Sequence, residues 1–240
     1  MKLDIIYQDE NVLVVDKPPN VIVAPEKPTS QETLIDVLVK QFPDLKKIGS
    51  PPRYGIVHRL DKETSGILLI AKNNQALIFL QDQFKKRKVV KKYMALVVGE
   101  VKKKKGTIKT LLGRSPKDRR RQKVYLPLEP DSAGKREATT EFQVIKKFCD
   151  GKKNKYTLLQ VFPKTGRKHQ IRTHLKFINH PIAGDRFYRF NKQPLPEGLR
   201  RHFLHAAFLK ILLPQGKKKE FQAGLPQDLT SVLTKLNEIS

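Results

Sequence analysis

The 240 residues carry 49 Lys and Arg against 23 Asp and Glu, a formal net charge of +26, so a polyanion, nucleic acid first, is the expected partner of the surplus. Hydrophobic residues make up 38%, enough to bury a substantial core, which excludes global disorder. A lone Cys149 cannot close an internal disulfide, Met1-Lys2-Leu3-Asp4 lacks the apolar run of a secretory signal, and no apolar stretch approaches the ~20 residues of a bilayer span; a cytoplasmic protein with no membrane insertion is expected.

Ile5-Ile6-Tyr7 and Val12-Leu13-Val14-Val15 flank the polar Gln8-Asp9-Glu10-Asn11 and predict two strands joined by a tight turn. Thr29 followed by Glu32 has capping-box spacing, and Leu34, Ile35, Leu38 and Phe42 recur at helical spacing, so a helix is predicted over 29–42, stopped by Pro43. His58-Arg59-Leu60-Asp61-Lys62-Glu63-Thr64-Ser65-Gly66 is a polar turn that puts a carboxylate beside cations and feeds the apolar run Ile67 to Ala71, a predicted buried strand. Asn74 is the predicted cap of a helix with Leu77, Leu80 and Phe84 as its apolar stripe, and Lys85, Lys86 and Arg87 complement the negative end of its dipole.

β-branched and aromatic residues predict strands over 93–98, 138–145 and 156–162. Between the first two, residues 102–130 are laden with Lys and Arg among Gly and Pro and read as a basic loop or ribbon, the best candidate for a flexible arm. Cations also run together at 85–92, 102–105, 117–123 and 217–219, the clustering expected of a nucleic-acid surface. Thr165-Gly166-Arg167-Lys168-His169-Gln170-Ile171-Arg172 leaves a strand and opens a helix over 169–178, a corner whose N–H groups and cations suit phosphate; a solvated basic helix start is the alternative. Arg172, next to Ile171, can point inward, where it needs a carboxylate partner. A strand over 208–213 is predicted to be the last, followed after Pro226 by a closing helix with Leu229, Val232, Leu233 and Leu236 inward.

Six histidines include the pairs His169 and His174, and His202 and His205, but none forms a two-histidine helical motif with a Glu, so no metal site is expected. No glycine loop of the P-loop or dinucleotide type occurs, so no nucleotide cofactor is expected either. Irregular alternation of strands and helices predicts an α+β or mixed-sheet fold, and a single domain spanning 1–240 is expected.

His58-Arg59-Leu60-Asp61 with Thr64-Ser65-Gly66, Lys92-Tyr93-x-Ala95-x-Val97-x-Gly99, Thr165-Gly166-Arg167-x-His169-Gln170-Ile171-Arg172-x-His174-Leu175, Pro181-Ile182-x-Gly184-Asp185 and Leu204-His205-Ala206 together resemble the RluA-type pseudouridine synthases. The resemblance runs from about Ile5 to Pro214 and implies an α+β catalytic domain with a large mixed, mostly antiparallel sheet flanked by helices and an active-site cleft across the sheet. Many relatives begin with a small RNA-binding module, whereas no separate N-terminal module is expected here. Gly and His, frequent in relatives near Asn20 and Ala24, are absent, and Arg189 follows Tyr188 where a Gly is usual.

The resemblance implies site-specific isomerisation of uridine to pseudouridine in structured RNA without metal or cofactor. The N1–C1′ bond is cut, the uracil turned, and the base rejoined through C5. It implies that Asp61 is the essential carboxylate, acting as nucleophile or base, that Arg172 pairs with it, that Tyr93 stacks on the target uracil, and that Arg59 fills the space left by the flipped nucleotide. It further implies large-subunit ribosomal RNA as first substrate and transfer RNA as second, and a monomer. A non-catalytic RNA-binding or ribosome-assembly protein on the same scaffold is the competing reading; a metal-dependent nuclease would need more clustered carboxylates than Asp61 and Glu63 supply.

Overall fold

Asp9 organises the first hairpin: its Oδ1 accepts from the backbone N–H groups of Asn11 and Val12 at 2.8 and 2.7 Å, the local bonding that makes Asp a turn former. The computed structural model describes residues 3–25 and 30–239. In chain order its elements are β1 (Asp4–Gln8), β2 (Val12–Lys17), α1 (Leu34–Gln41), β3 (Ser65–Ala71), α2 (Asn74–Lys85), β4 (Val90–Val98), β5 (Lys105–Arg114), β6 (Gln122–Tyr125), β7 (Arg136–Cys149), β8 (Lys155–Pro163), α3 (Gln170–Phe177), β9 (Leu204–Leu212), β10 (Lys218–Gln222), α4 (Gln227–Leu233) and β11 (Asn237–Ile239). The fold is α+β, a large mixed sheet accompanied by helices, as the sequence predicted. Its residues gather into two compact units, Met1–Lys91 with Ala206–Gly224, and Lys92–His205 with Leu225–Ser240.

In the first unit β1 pairs with β2 and β2 with β3, both antiparallel, with Lys17 opposite Gly66. Every residue of β3 is buried, so its unbroken apolar run reflects cover on both faces. Gly66, at φ +115°, lies where the Ala206 backbone occupies the space a Cβ would need; glycine alone fits that close approach. Helix α1 starts later than predicted. Its cap is Thr33, whose N–H and hydroxyl both donate to Asp36 Oδ2, at 2.9 and 2.7 Å, while Glu32 instead pairs with Lys40 at 2.6 Å. Thr29 lies outside the described residues. Likewise Asn73, not Asn74, caps α2 by accepting from Ala76 N at 2.8 Å. Asn74 faces the loop before it, accepting from Gly49 N at 2.8 Å. Buried Gln83 extends α2's apolar stripe by bonding both backbone groups of Leu212, at 2.7 and 3.1 Å.

In the second unit the order is β4-β8-β7-β5-β6, with β11 on the far end of β7, and the pairings are antiparallel. This corrects the reading of residues 102–130 as an arm. β5 pairs with β7 at eight positions from Lys105↔Gln143 to Leu112↔Arg136, and buried Ile108, Thr110 and Leu112 alternate with exposed Thr107 and Lys109 and half-buried Leu111. Period-two burial outweighed a composition that resembles a loop. β9 is not the last strand either, since β10 pairs with it within the first unit and β11 follows α4. The core of the second unit joins Ala95–Val97, Phe142, Tyr156, Leu159, Val161, Leu175, Ile182 and Phe203 to Leu229 and Val232 of α4.

Candidate active site

The turn bearing Asp61 is held from beneath by a buried lysine. Lys17, fully excluded from solvent, donates from Nζ to the carbonyls of Pro18 at 2.8 Å, Val21 at 3.0 Å and Lys62 at 3.1 Å. A cation in that position is tolerated because carbonyl dipoles replace its water. The bond to Lys62 fixes the Lys62–Glu63 peptide, one residue beyond Asp61, and Thr64 N closes the turn on the Asp61 carbonyl at 3.1 Å. Thr64 and Ser65 are buried, Asp61 is half-buried and Arg59 is exposed. His58 Nε2 accepts from the Leu69 backbone N–H at 3.1 Å and its ring stacks on Phe84 at 4.8 Å between centroids. Burial, then the charge of Lys91, push that imidazole down to about 3, so it is a neutral structural acceptor that ties the turn to β3.

In the second unit, α3 is buried almost all round, from Gln170 to Leu175, rather than on one face as predicted. Arg172 is the reason a cation can be there. It is 5% exposed and forms a fork with Asp185, Nε to Oδ2 at 2.6 Å and Nη2 to Oδ1 at 2.9 Å, the bidentate geometry that suits a desolvated guanidinium. Asp185 Oδ1 also accepts from the N–H groups of Phe187 at 2.9 Å and Tyr188 at 3.1 Å. Burial alone would raise the Asp185 pKa, but the hydrogen bonds and charge of Arg172, with the charge of His202, hold it below the usual carboxylate range. Gly184, at φ +77°, makes the turn into Asp185, and the Arg201 carbonyl fills the place of its missing Cβ. The sequence pointed to a carboxylate for Arg172 without naming Asp185, although that residue stands in the Pro181 to Asp185 motif.

Tyr188 packs under the same guanidinium, its ring centroid 5.1 Å from Arg172 Cζ. Its hydroxyl accepts from Gln122 N at 2.7 Å and lies 2.9 Å from His169 Nδ1. The connection 115–121 reaches the same place: Arg120 and Arg121 lie 5.7 and 5.6 Å from the Phe187 ring, with Asp118 beside both. At the start of α3, the corner expected to suit phosphate is occupied by a side-chain amide. Gln170 Oε1 accepts from Thr165 Oγ1 at 2.7 Å and Arg167 N at 3.0 Å, and its Nε2 donates to Thr139 O and Thr140 Oγ1, each at 3.0 Å. His174 sits between the hydroxyls of Thr110 and Thr140 at 3.0 and 2.9 Å, and burial pushes it down to about 4. Tyr93, half-buried in β4, lies opposite Val161 of β8 and packs on the second unit's core. Thus Arg59 and Asp61 share one turn of the first unit, and Tyr93 and Arg172 belong to the second. Among the described residues no cluster of His, Cys, Asp and Glu could hold a metal ion, and no helix is long and apolar enough to cross a membrane.

A sequence model of the RNA pseudouridylate synthase family matches residues 11–177. The chain belongs to that family. The match takes in Arg59, Asp61, Tyr93 and Arg172 of this pseudouridine synthase and stops short of Asp185 and Tyr188. It is 41% identical over 244 residues to an RNA pseudouridine synthase of Aquifex aeolicus, covering 99% of this chain and 74% of that one. It is 36% identical over 250 residues to ribosomal large subunit pseudouridine synthase D of Xylella fastidiosa, covering 99% of this chain and 70% of that protein. Among solved structures, human RNA pseudouridylate synthase domain containing 1 superposes with a TM-score of 0.79 at 26% identity, over 100% of this chain and 89% of the human one.

Proposed function

We propose that the two units act as one catalytic domain that converts uridine to pseudouridine in large-subunit ribosomal RNA, in the cytoplasm, with Asp61 as the essential carboxylate. The observation that carries this reading is the Asp61 turn itself: a half-buried carboxylate on a backbone fixed by buried Lys17 and neutral His58, inside the family match. Large-subunit RNA is favoured over transfer RNA because relatives named ribosomal large subunit pseudouridine synthase D, from Xylella fastidiosa and Buchnera aphidicola, match 99% and 98% of the chain.

In the proposed reaction the target nucleotide leaves its stack, at a cost of a few kcal/mol, and Arg59, exposed at the lip of the turn, takes the vacated space. Ionised Asp61 attacks the sugar or base, or removes a sugar proton, as the N1–C1′ bond breaks. The uracil turns and C5 bonds to C1′, and Asp61 is released in the same sequence: C5 displaces it from C1′, or its bond to the base is eliminated, or it returns the sugar proton. N1 gains a proton and C5 loses one, so the product is an isomer and no oxidant or co-reactant is needed. Tyr93 stacks on the uracil. Arg172 gives two N–H groups to Asp185 and is the guanidinium that the family resemblance assigns to this chemistry. Mapping pseudouridine in ribosomal and transfer RNA from cells with and without the gene tests the substrate. Sites that vanish from large-subunit RNA support the proposal, and sites that vanish only from transfer RNA overturn it.

A further inference from the structure

Nine residues between 184 and 200 of the second unit line an open cavity of about 390 Å³, within the range of about 300–1,000 Å³ that small-ligand sites take. Arg186, Arg189 and Arg200 stand on its walls with Pro194, Leu195 and Leu199. All three arginines are exposed. Among the described residues none of them has a carboxylate partner, and Arg186 Nη2 donates to the Arg200 carbonyl at 3.4 Å. The one acid in the wall, Asp185, is already matched by Arg172 and by two backbone N–H groups. The cavity therefore keeps three uncompensated positive charges, beside a leucine, Leu195, that is 58% exposed. None of Arg59, Asp61, Tyr93 or Arg172 lines it, so the proposed chemistry leaves it without a role.

Guanidinium planes bind phosphate through paired N–H groups and stack on bases, and an apolar wall beside them suits a base face. We propose that this cavity seats one unpaired nucleotide of the RNA substrate other than the target uridine, its phosphate among Arg186, Arg189 and Arg200 and its base against Leu195 and Pro194. The inference rests on the chain acting on RNA, and it assigns a contact that selects substrates by a nucleotide the enzyme does not modify.

The test uses the full chain and an in vitro transcript of large-subunit ribosomal RNA labelled with tritium at uracil C5, read for tritium release and, with a fluorescent copy, for binding across a salt series. Arg186→Gln/Arg189→Gln/Arg200→Gln should raise KM and Kd about tenfold, with kcat carrying less than twofold of the change. The slope of log affinity against log salt should fall by about 0.7 for each single-strand phosphate that the variant no longer neutralises. Leu195→Ala should weaken binding with the slope unchanged. Arg189→Glu alone, an exposed substitution, serves if the triple variant melts early. Wild-type Kd and salt slope in these variants would overturn the inference, whether or not the RNA is modified. Weakened binding in the variants with no tritium release from any RNA by the wild type would instead uphold the cavity and overturn the isomerase reading.

Discussion

Asp185→Ala removes the acceptor of four hydrogen bonds at once, two from Arg172 and one each from the N–H groups of Phe187 and Tyr188. Arg172 stays behind as a cation only 5% exposed. Breaking a buried pair from one side costs about 3–5 kcal/mol because the remaining charge is desolvated without compensation. In a chain of this size each kcal/mol shifts the melting midpoint by about 2–4 °C, so the variant should melt about 6–20 °C below wild type by circular dichroism. Asp185→Ala/Arg172→Met removes the stranded charge and should recover part of that loss while remaining inactive in tritium release. The same pair fixes a pH dependence. Asp185 is held below its unfolded pKa of about 3.9, so its stabilisation is complete above pH 4 and lost as pH falls through the folded value. A single variant that melts within 2 °C of wild type, or a double variant no more stable than the single, would refute this account of the second unit.

Lys17→Met should cost about 2–4 kcal/mol by stripping three carbonyls of their charged donor, and should lower kcat more than tenfold because the Lys62 peptide no longer fixes the Asp61 turn; kcat at the wild-type level in a folded variant would refute the anchoring role. Burial, and then Asp4 across the hairpin, raise Asp16 to about 6. The folded state thus holds a proton that the unfolded chain releases near pH 4, and stability falls as pH rises from about 4 to about 6. Asp16→Asn should therefore raise stability at pH 8 by about 1 kcal/mol after allowing for partial exposure, seen as a melting midpoint about 2–4 °C higher, and change little at pH 3.5; no gain at pH 8 would count against it. His174 has the opposite sense for a base. With its folded value pushed down to about 4, stability should drop by about 2 kcal/mol as pH falls from 6.5 to 4, and its NMR ring resonances should not titrate between pH 5 and 8.

Helical and strand periodicity was legible wherever one pattern ruled, as in the Val12 to Val15 and Ile67 to Ala71 strands and the Leu77, Leu80 and Phe84 stripe. It misled where two readings shared a spacing. Thr29 with Glu32 and Thr33 with Asp36 both have capping-box form, and only the later pair stands against the buried residues Leu34, Ile35 and Leu38. Residues 105–114 carry lysines on the exposed side of a half-buried strand, so their composition resembled a loop although their alternation was that of a strand. At the site, the family motifs marked Arg59, Asp61, Tyr93 and Arg172. They could not mark what holds those residues, because the supports are backbone groups and distant side chains. Lys17 works through three carbonyls, His58 through the Leu69 N–H, and Asp185 through residues 13 positions away and its own turn. Gln170 looked like part of a phosphate corner and proved to be the side chain that fills it.

The most direct trial of the mechanism compares wild type with Asp61→Asn on RNA tritiated at uracil C5, with Kd for the same RNA measured alongside. An Asn keeps the size and turn-forming capacity of the aspartate and removes its charge. Release of tritium should fall to background while Kd stays within about twofold of wild type. Tritium release by Asp61→Asn at the wild-type rate would show that another group carries the reaction.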